Sequence, residues 1–177
     1  TSYERVLGPI DHSTWIRVTA DSVKPELKLE IFDADPRMIH DIVQRTRRLF
    51  DLDADLQAVH QALMTSELLK RGIKRRPGLR VPGSWAGFEL AVRAVLGQQI
   101  SVAGATTLTR RLVEQYGEDR TVQRENLDRA FPKPEAIANA PLEKIGLPKT
   151  RAATLRAMAQ AMMDGKISFQ AGQNMAA

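Results

Sequence analysis

Apolar and polar residues alternate in two short runs near the start of the chain. The first run is TWIRVT at residues 14–19, and the second is ELKLEI at residues 26–31. Alternation of this kind predicts β-strands, and the DSVKP segment at residues 21–25 supplies the turn between them. Two strands do not form a stable sheet alone. We therefore expect either a third strand within residues 3–10 or a chain that begins in the middle of a domain.

After residue 35 the apolar positions recur at helical spacing. Asp35 and Pro36 suit the cap and the first position of a helix, and a second helix is expected to start at Asp53 or Asp55. The first of these helices has an apolar stripe. It consists of Met38, Ile39, Ile42, Val43, Leu49 and Phe50. A basic connector at residues 70–80, broken by Gly and Pro, follows these helices.

The second half of the chain is predicted to be helical throughout. Ser84 is the expected cap of a helix that is interrupted at Gly97, and Ser101 is the expected cap of the next helix, which Gly117 closes. The stripe of this next helix is Val102, Ala105, Leu108, Leu112 and Tyr116. Short helices are expected at residues 134–138 and 142–145, a long one at about 150–164, and the start of one more at 169–177. The pattern predicts an α+β fold with an N-terminal antiparallel sheet piece and helices in domain 1–75 and an all-α subdomain in 76–177.

Composition narrows the chemistry of the chain. The 26 basic residues exceed the 21 acidic ones, which gives a net charge of +5 and favours a polyanionic partner only weakly. The absence of cysteine excludes thiol chemistry and cysteine-ligated metal centres. No apolar run approaches the length of a membrane helix, and residues 1–17 lack the layout of a signal peptide. We expect a soluble, cytoplasmic protein.

The break between the two central helices carries Gln98, Gln99, Ile100 and Ser101, which we call the QQIS turn. Exposed amides offer hydrogen-bond donors and acceptors to an orphaned base edge without a charge to desolvate. Ile100 is the kind of apolar side chain that wedges between base steps. On residue types alone a simple turn remains the commoner explanation of such a break.

Several segments in a fixed order resemble one family. They are RLFDL at residues 48–52, RPGLRVPG at 76–83, VRAVLGQQISVA at 92–103, LTR at 108–110, YGE at 116–118, FPKP at 131–134 and GLP at 146–148 with Arg151 and Ala152. Together they resemble the AlkA-type DNA-3-methyladenine glycosylases of the helix-hairpin-helix superfamily. The resemblance covers nearly the whole chain.

The resemblance implies a function in base-excision repair. Enzymes of this family bend double-stranded DNA, flip out an alkylated purine and hydrolyse its N-glycosidic bond, with no metal or organic cofactor. The QQIS turn would fill the vacated space, with Gln99 at the wedge position, where some relatives carry an apolar residue. The expected partner is double-stranded DNA with alkylated bases, bound by a monomer.

The resemblance also places the family's catalytic machinery downstream of residue 177. The DNA-gripping hairpin, an aromatic pocket wall and the catalytic aspartate all follow the segment that matches residues 169–177. Asp119, Asp128 and Asp164 do not match that aspartate and are expected to be surface charges. We therefore expect a fragment without a catalytic residue, which is inactive as a glycosylase on its own.

Lys74, Arg75 and Arg76, which we call the basic run, are the strongest candidates for phosphate contacts. A solvated linker explains the same residues equally well. Two other functions stay open, namely a non-catalytic DNA-binding or regulatory module of an Ada-type alkylation-response protein and an interaction domain without DNA binding.

Overall fold

The computed structural model describes residues 2–7, 14–120 and 127–169. Its contacts group the chain into two compact units. The first unit combines Thr1–Pro36 with Ala86–Ala177, and the second is Arg37–Trp85. The predicted division into domains 1–75 and 76–177 is not tested by this grouping and stays a prediction.

A three-stranded antiparallel sheet opens the first unit. Its strands β1 (Ser2–Val6), β2 (Trp15–Ala20) and β3 (Leu27–Phe32) lie in the order β1-β2-β3. The alternation of β2 buries Ile16 and Val18 completely or nearly so, while Trp15 stacks on its register partner Phe32 at 3.8 Å between ring centroids. The third strand is therefore present, and the predicted α+β class is confirmed.

The helical part of the first unit has a single core. It contains α4 (Gly87–Gly97), α5 (Val102–Tyr116), α6 (Pro134–Ala138), a 3₁₀ turn (Leu142–Ile145) and α7 (Lys149–Met163). The core side chains without solvent exposure come from all of these elements. They include Val92, Leu96, Leu112, Ile137, Leu142 and Leu155. Burial on several sides fixes the helices against one another, since packed interiors do not deform freely.

The prediction that the chain forms only helices after residue 35 is wrong, because the described residues include a further pair of strands. Strands β4 (Glu118–Asp119) and β5 (Arg129–Ala130) pair in a short antiparallel ribbon. Two residues per strand are too few to produce an alternation. Gly117 leads into this ribbon with extended backbone, and a Cβ there would lie 2.4 Å from the Val113 carbonyl oxygen and 2.5 Å from that of Ala130. Close approach of these carbonyls, rather than a left-handed cap, requires glycine at this position.

The start of α4 also differs from the prediction. Ala86 occupies the cap position and Gly87 begins the helix, so Ser84 is not its cap. The backbone N–H of Gly83 donates to the carbonyl of Leu49 at 2.9 Å. This tertiary hydrogen bond holds the preceding segment outside the helix, which a local capping pattern does not reveal. The predicted helix at residues 169–177 lies almost wholly outside the described residues, and Phe169 itself is not helical.

The second unit contains three helices, α1 (Pro36–Leu49), α2 (Leu56–Leu63) and α3 (Glu67–Arg75). Of the two predicted starts for α2, Asp55 is the cap, and its side chain accepts the backbone N–H groups of Gln57 and Ala58. The predicted apolar stripe of α1 is only partly buried: Ile42 is enclosed, but Ile39 is 43% exposed.

The basic connector is not the loop that the sequence predicts. Helix α3 runs through Gly72 to Arg75, so the first half of the connector is helical. Its second half is held by Asp51, just after the end of α1: the Arg80 guanidinium donates to the Asp51 carbonyl, and the N–H of the next residue, Val81, donates to the Asp51 carboxylate at 3.2 Å. A Cβ on Gly83 would lie 2.5 Å from the Arg48 carbonyl oxygen. The RPGLRVPG motif thus has a structural role in this unit.

Candidate nucleic-acid interface

The QQIS turn is the exposed connection between α4 and α5. Helix α4 ends at Gly97 and α5 begins at Val102, so the four residues lie between two helix ends. All four are exposed, and Ile100 keeps 38% of its surface accessible although it is apolar. The sequence prediction of an exposed corner is confirmed, but the two helices that flank it are each buried on one side only.

The backbone leaves the helix abruptly at this corner. Gln98 takes the extended conformation at φ −61° and ψ 126°, and its N–H reaches the Val95 carbonyl only at 3.4 Å. Gln99 follows with a φ of 57°, in the left-handed region. This conformation costs an L-residue about 1–2 kcal/mol, because Cβ approaches the following carbonyl oxygen. The surrounding structure must therefore hold Gln99 in place.

Ser101 fixes the far side of the turn. Its Oγ accepts the backbone N–H of Gly104 at 3.1 Å, and its carbonyl accepts that of Ala105 at 2.9 Å. These are the bonds of a helix N-cap, as the sequence predicts. Ile100 packs beside Gly104: a Cβ built on Gly104 would lie 3.7 Å from the Cδ1 atom of Ile100. The turn therefore leads into α5 through a defined geometry.

One contact from a distant part of the chain reaches the turn. The Arg151 side chain, near the start of α7, donates from Nη2 to the Gln98 carbonyl at 2.9 Å. Local sequence patterns do not predict this contact, since 53 residues separate the two partners. Its only signal was the GLP element with Arg151 and Ala152, which the resemblance singled out without a role.

Val102 is a second apolar side chain beside the turn. The helical stripe predicts it on the buried face of α5, but it is 84% exposed. That prediction is wrong because Val102 is the first helical residue and lies beyond the reach of the core that encloses Leu112. Together with Ile100 it gives the turn an apolar edge.

A partly buried ion-pair network holds the helix that ends in the turn. Glu89 on α4 accepts Arg5 of β1 at 2.6 Å and Arg93 at 2.8 Å. Burial acts to raise the pKa of Glu89, but the two guanidinium groups outweigh it and lower the pKa below its ordinary value. Burial likewise opposes the ionised form of Arg5, and Glu89 raises its pKa in spite of that. The network ties α4 to the sheet.

The basic run lies on the second unit and is built differently. Lys74 and Arg75 end α3, and Arg76 follows as its C-cap residue. All three are exposed, and no residue of the described ranges accepts a hydrogen bond from their side chains. Cations at a helix C-terminus agree with the helix dipole, which gives them a structural explanation as well.

Acidic clusters give no sign of a metal centre. In the ranges 2–7, 14–120 and 127–169, no group of three or more metal-ligating side chains comes together. Asp119 pairs with Arg129 at 3.0 Å, and Asp164 pairs with Lys166 at 2.9 Å on the surface. Among the described residues, no helix has the length and apolar content needed to cross a bilayer.

Two family models match consecutive parts of the chain. The AlkA N-terminal domain matches residues 1–86, and the HhH-GPD superfamily of base-excision DNA repair proteins matches residues 92–176. The second match begins in α4 and contains the QQIS turn. Together the two matches confirm the family resemblance seen in the sequence.

Similar proteins carry names of the same kind. DNA-3-methyladenine glycosylase 2 of Escherichia coli is 33% identical over 168 residues, which cover 93% of this chain and 57% of that protein. A probable bifunctional transcriptional activator/DNA repair enzyme AlkA of Mycobacterium tuberculosis is 37% identical over 128 residues, 72% of this chain and 26% of that protein. The chain therefore spans little more than half of the one and about a quarter of the other.

Solved structures agree on the fold. The 3-methyladenine DNA-glycosylase of Archaeoglobus fulgidus superposes with a TM-score of 0.74 at 20% identity, over 90% of this chain and 55% of that one. An 8-oxoguanine glycosylase/lyase of Clostridium acetobutylicum, solved with double-stranded DNA, superposes at 0.67 and 15% identity, over 93% of this chain and 57% of that one. At these identities the likeness concerns the fold alone.

Proposed function

We propose, from the premise that this chain belongs to the AlkA-like HhH-GPD superfamily of base-excision DNA repair proteins, that it forms the DNA-probing part of an alkylated-base glycosylase. In this role the QQIS turn enters the duplex and occupies the space that a flipped base leaves. The observation that carries the proposal is the exposed Gln99, held in left-handed backbone conformation between helices α4 and α5.

The chemistry of the turn fits this role. An amide side chain offers two N–H donors and a carbonyl acceptor to the Watson–Crick edge of the unpaired base. It has no charge, so it enters the base stack without the desolvation cost of an ion. Ile100 and Val102 add apolar surface that can rest against the neighbouring base steps. Hydrogen bonding by Gln99 takes the place of the apolar wedge that some relatives carry.

We assign the basic run to the phosphate backbone. Exposed Lys74, Arg75 and Arg76 would contribute affinity through counterion release, without preference for damaged sites. The solvated-linker explanation predicts no such contribution. A direct comparison of charge variants on damaged and undamaged duplexes separates the two.

The complete reaction is proposed for the protein to which this chain belongs. It would flip an alkylated purine of the 3-methyladenine type out of double-stranded DNA and hydrolyse its N-glycosidic bond. The name of the relative from Escherichia coli supports this substrate class. We assign no catalytic residue within the chain. Monomeric action, a cytoplasmic location and the lack of activity of the chain alone stay predictions.

Binding to an abasic-site analogue tests the proposed function. A duplex with a tetrahydrofuran residue offers the vacated space directly, without any need for base flipping. We expect Gln99→Ala to lower affinity for this duplex by about 3- to 10-fold, the value of one or two net hydrogen bonds. Affinity for the undamaged duplex should stay unchanged. Gln115→Ala, at the exposed opposite end of α5, is the matched control and should bind like the wild type.

A second candidate function is a regulatory DNA-binding module. It is favoured by the similarity to the Mycobacterium tuberculosis protein, whose name includes a transcriptional activator. A regulatory module would bind the abasic and the undamaged duplex equally well, and Gln99→Ala would then weaken neither. Equal affinity of the wild-type chain for the two duplexes would replace the glycosylase proposal with this one.

A further inference from the structure

Arg151 connects α7 to the QQIS turn. Its guanidinium Nη2 donates to the carbonyl of Gln98, the residue just before Gln99, at 2.9 Å. We propose that Arg151 is a positioning residue that holds this carbonyl and thereby keeps Gln99 in the conformation needed to fill the gap. The inference rests on the proposed function of the turn and adds a residue that acts on DNA only through it.

The end of α4 explains why a cation is useful there. The last carbonyls of a helix lack partners within the helix and carry its partial negative charge. Gln98 is the C-cap residue of α4, and its own N–H makes only a long bond of 3.4 Å to the Val95 carbonyl. A charge-assisted hydrogen bond from Arg151 is stronger than a neutral one. At 2.9 Å, the bond from Arg151 is also the shorter of the two hydrogen bonds that Gln98 makes at this corner.

The position of Arg151 on its own helix is otherwise unfavourable. It is the third residue of α7, and the first turn of α7 contains no acidic residue. The helix dipole disfavours a cation at this end by a few tenths of a kcal/mol to about 1 kcal/mol. Contact with the negative end of α4 offsets this cost. Because α4 and α7 share the core through Val92, Leu96 and Leu155, the guanidinium is anchored on a fixed support.

The backbone strain of Gln99 gives this bond a consequence. A left-handed glutamine relaxes toward ordinary φ values unless its neighbours are held on both sides. The Ser101 cap holds one side, with its Oγ on the Gly104 N–H. The Arg151 bond holds the other. Loss of either bond should therefore misplace the Gln99 side chain without removing it.

A double-mutant cycle on the 177-residue chain tests this role. The variants are Arg151→Met, Gln99→Ala and the two combined, each titrated with the abasic and the undamaged duplex. Lys149→Met is the matched control, because it removes one exposed positive charge from the same turn of α7. Arg151→Lys restores the charge and an N–H donor. Circular dichroism and thermal unfolding establish that each variant is folded.

We expect Arg151→Met to weaken binding to the abasic duplex by about 3- to 10-fold and by no more than Gln99→Ala does, because Arg151 acts through Gln99. Its effect on the undamaged duplex should not exceed that of Lys149→Met. In the Gln99→Ala background the same substitution should cost less than about twofold, since residues that act as a unit are not additive. Arg151→Lys should recover part of the loss.

Two results would overturn the inference. Additive losses in the double variant would show that Arg151 acts independently of Gln99. Equal losses on both duplexes, with the salt dependence reduced by about one phosphate contact, would make Arg151 a direct DNA contact. If Arg151→Met does not fold, Arg151→Gln, which keeps an N–H donor without the charge, is put through the same cycle under the same criteria. Failure of the proposed function is distinguishable, because Gln99→Ala alone would then have no effect.

Discussion

The QQIS turn and the basic run are both assigned to DNA, but the chain builds them in opposite ways. The turn has a fixed backbone: a left-handed Gln99, a Ser101 cap and a hydrogen bond from Arg151 to Gln98. The basic run has exposed side chains at the end of α3, without a fixed partner in the described part of the chain. The turn is defined by its backbone geometry, and the basic run is defined by its positive charge.

This difference assigns separate tasks to the two regions. A preorganised turn loses little conformational entropy on binding, so it can respond to the geometry of a vacated base position. Exposed cations can contact any phosphate backbone, so they raise affinity for every duplex alike, and this contribution falls as the salt concentration rises. Lesion preference should therefore depend on the turn, and general affinity on the basic run.

The largest expected effect comes from loosening the support of the turn. Leu96 is fully buried in the last turn of α4. Leu96→Ala should lower the free energy of unfolding by about 2–5 kcal/mol and reduce preference for the abasic duplex. Leu68→Ala, at a position 88% exposed on α3, should change stability by less than about 0.5 kcal/mol. Denaturant titration and duplex binding measure both effects. Full lesion preference in a destabilised Leu96→Ala chain would break the proposed link between core and turn.

Charge reversal tests the other region. The triple variant Lys74→Glu, Arg75→Glu and Arg76→Glu should weaken binding to abasic and undamaged duplexes by the same factor, about tenfold or more at low salt. The slope of log affinity against log salt should become shallower by up to about three phosphate contacts. Fluorescence anisotropy at several salt concentrations measures it. An unchanged slope would identify the basic run as a solvated linker.

The Ser101 cap gives a smaller effect. Ser101→Ala removes the acceptor of the Gly104 N–H and should cost about 1 kcal/mol of stability. It should also lower affinity for the abasic duplex more than for the undamaged one, since the cap fixes one side of Gln99. Ser101→Thr keeps the acceptor and should retain both properties. Equal losses on the two duplexes would show that the cap supports folding without positioning the turn.

The smallest expected effect concerns how the free energy of unfolding changes with pH in acid. The pKa of Glu89 is held below its ordinary value of 4.5 by Arg5 and Arg93, against the effect of burial. As the pH falls, the Glu89 carboxylate is therefore protonated in the unfolded chain before it is protonated in the folded chain. The stability that this carboxylate contributes is present above pH 4.5 and is lost below it. Glu89→Gln should remove this part of the acid dependence. Denaturant unfolding at a series of pH values measures this. If wild type and variant lose stability in parallel as the pH falls, the ionised Glu89 does not stabilise the fold through this network.

Sequence periodicity predicted the regular elements well because their apolar faces repeat. The strands at Trp15–Ala20 and Leu27–Phe32, the helix Pro134–Ala138 and the 3₁₀ turn Leu142–Ile145 all lie where the pattern expects them. The ribbon of β4 and β5 and the later start of α4 were missed. Both depend on bonds between residues far apart in the chain, which leave no local signal.

In the candidate site, too, local sequence predicts some features, whereas others depend on tertiary packing. Residue types and order located the QQIS turn and the Ser101 cap, because glycine, amides and a capping serine carry local information. The positive φ of Gln99 was not foreseen, since glutamine rarely adopts it. Nor was the bond from Arg151, which exists only when α4 and α7 pack on one core.

The ratio of affinities for the abasic and the undamaged duplex, measured across a range of salt concentrations, tests the central claim most directly. If the preference comes from the shape of the QQIS turn, the ratio for the wild-type chain stays constant while both affinities fall with salt. Gln99→Ala brings that ratio close to one at every salt concentration. A ratio that declines with salt, or a Gln99→Ala chain that keeps it, would contradict the assignment of lesion recognition to the turn.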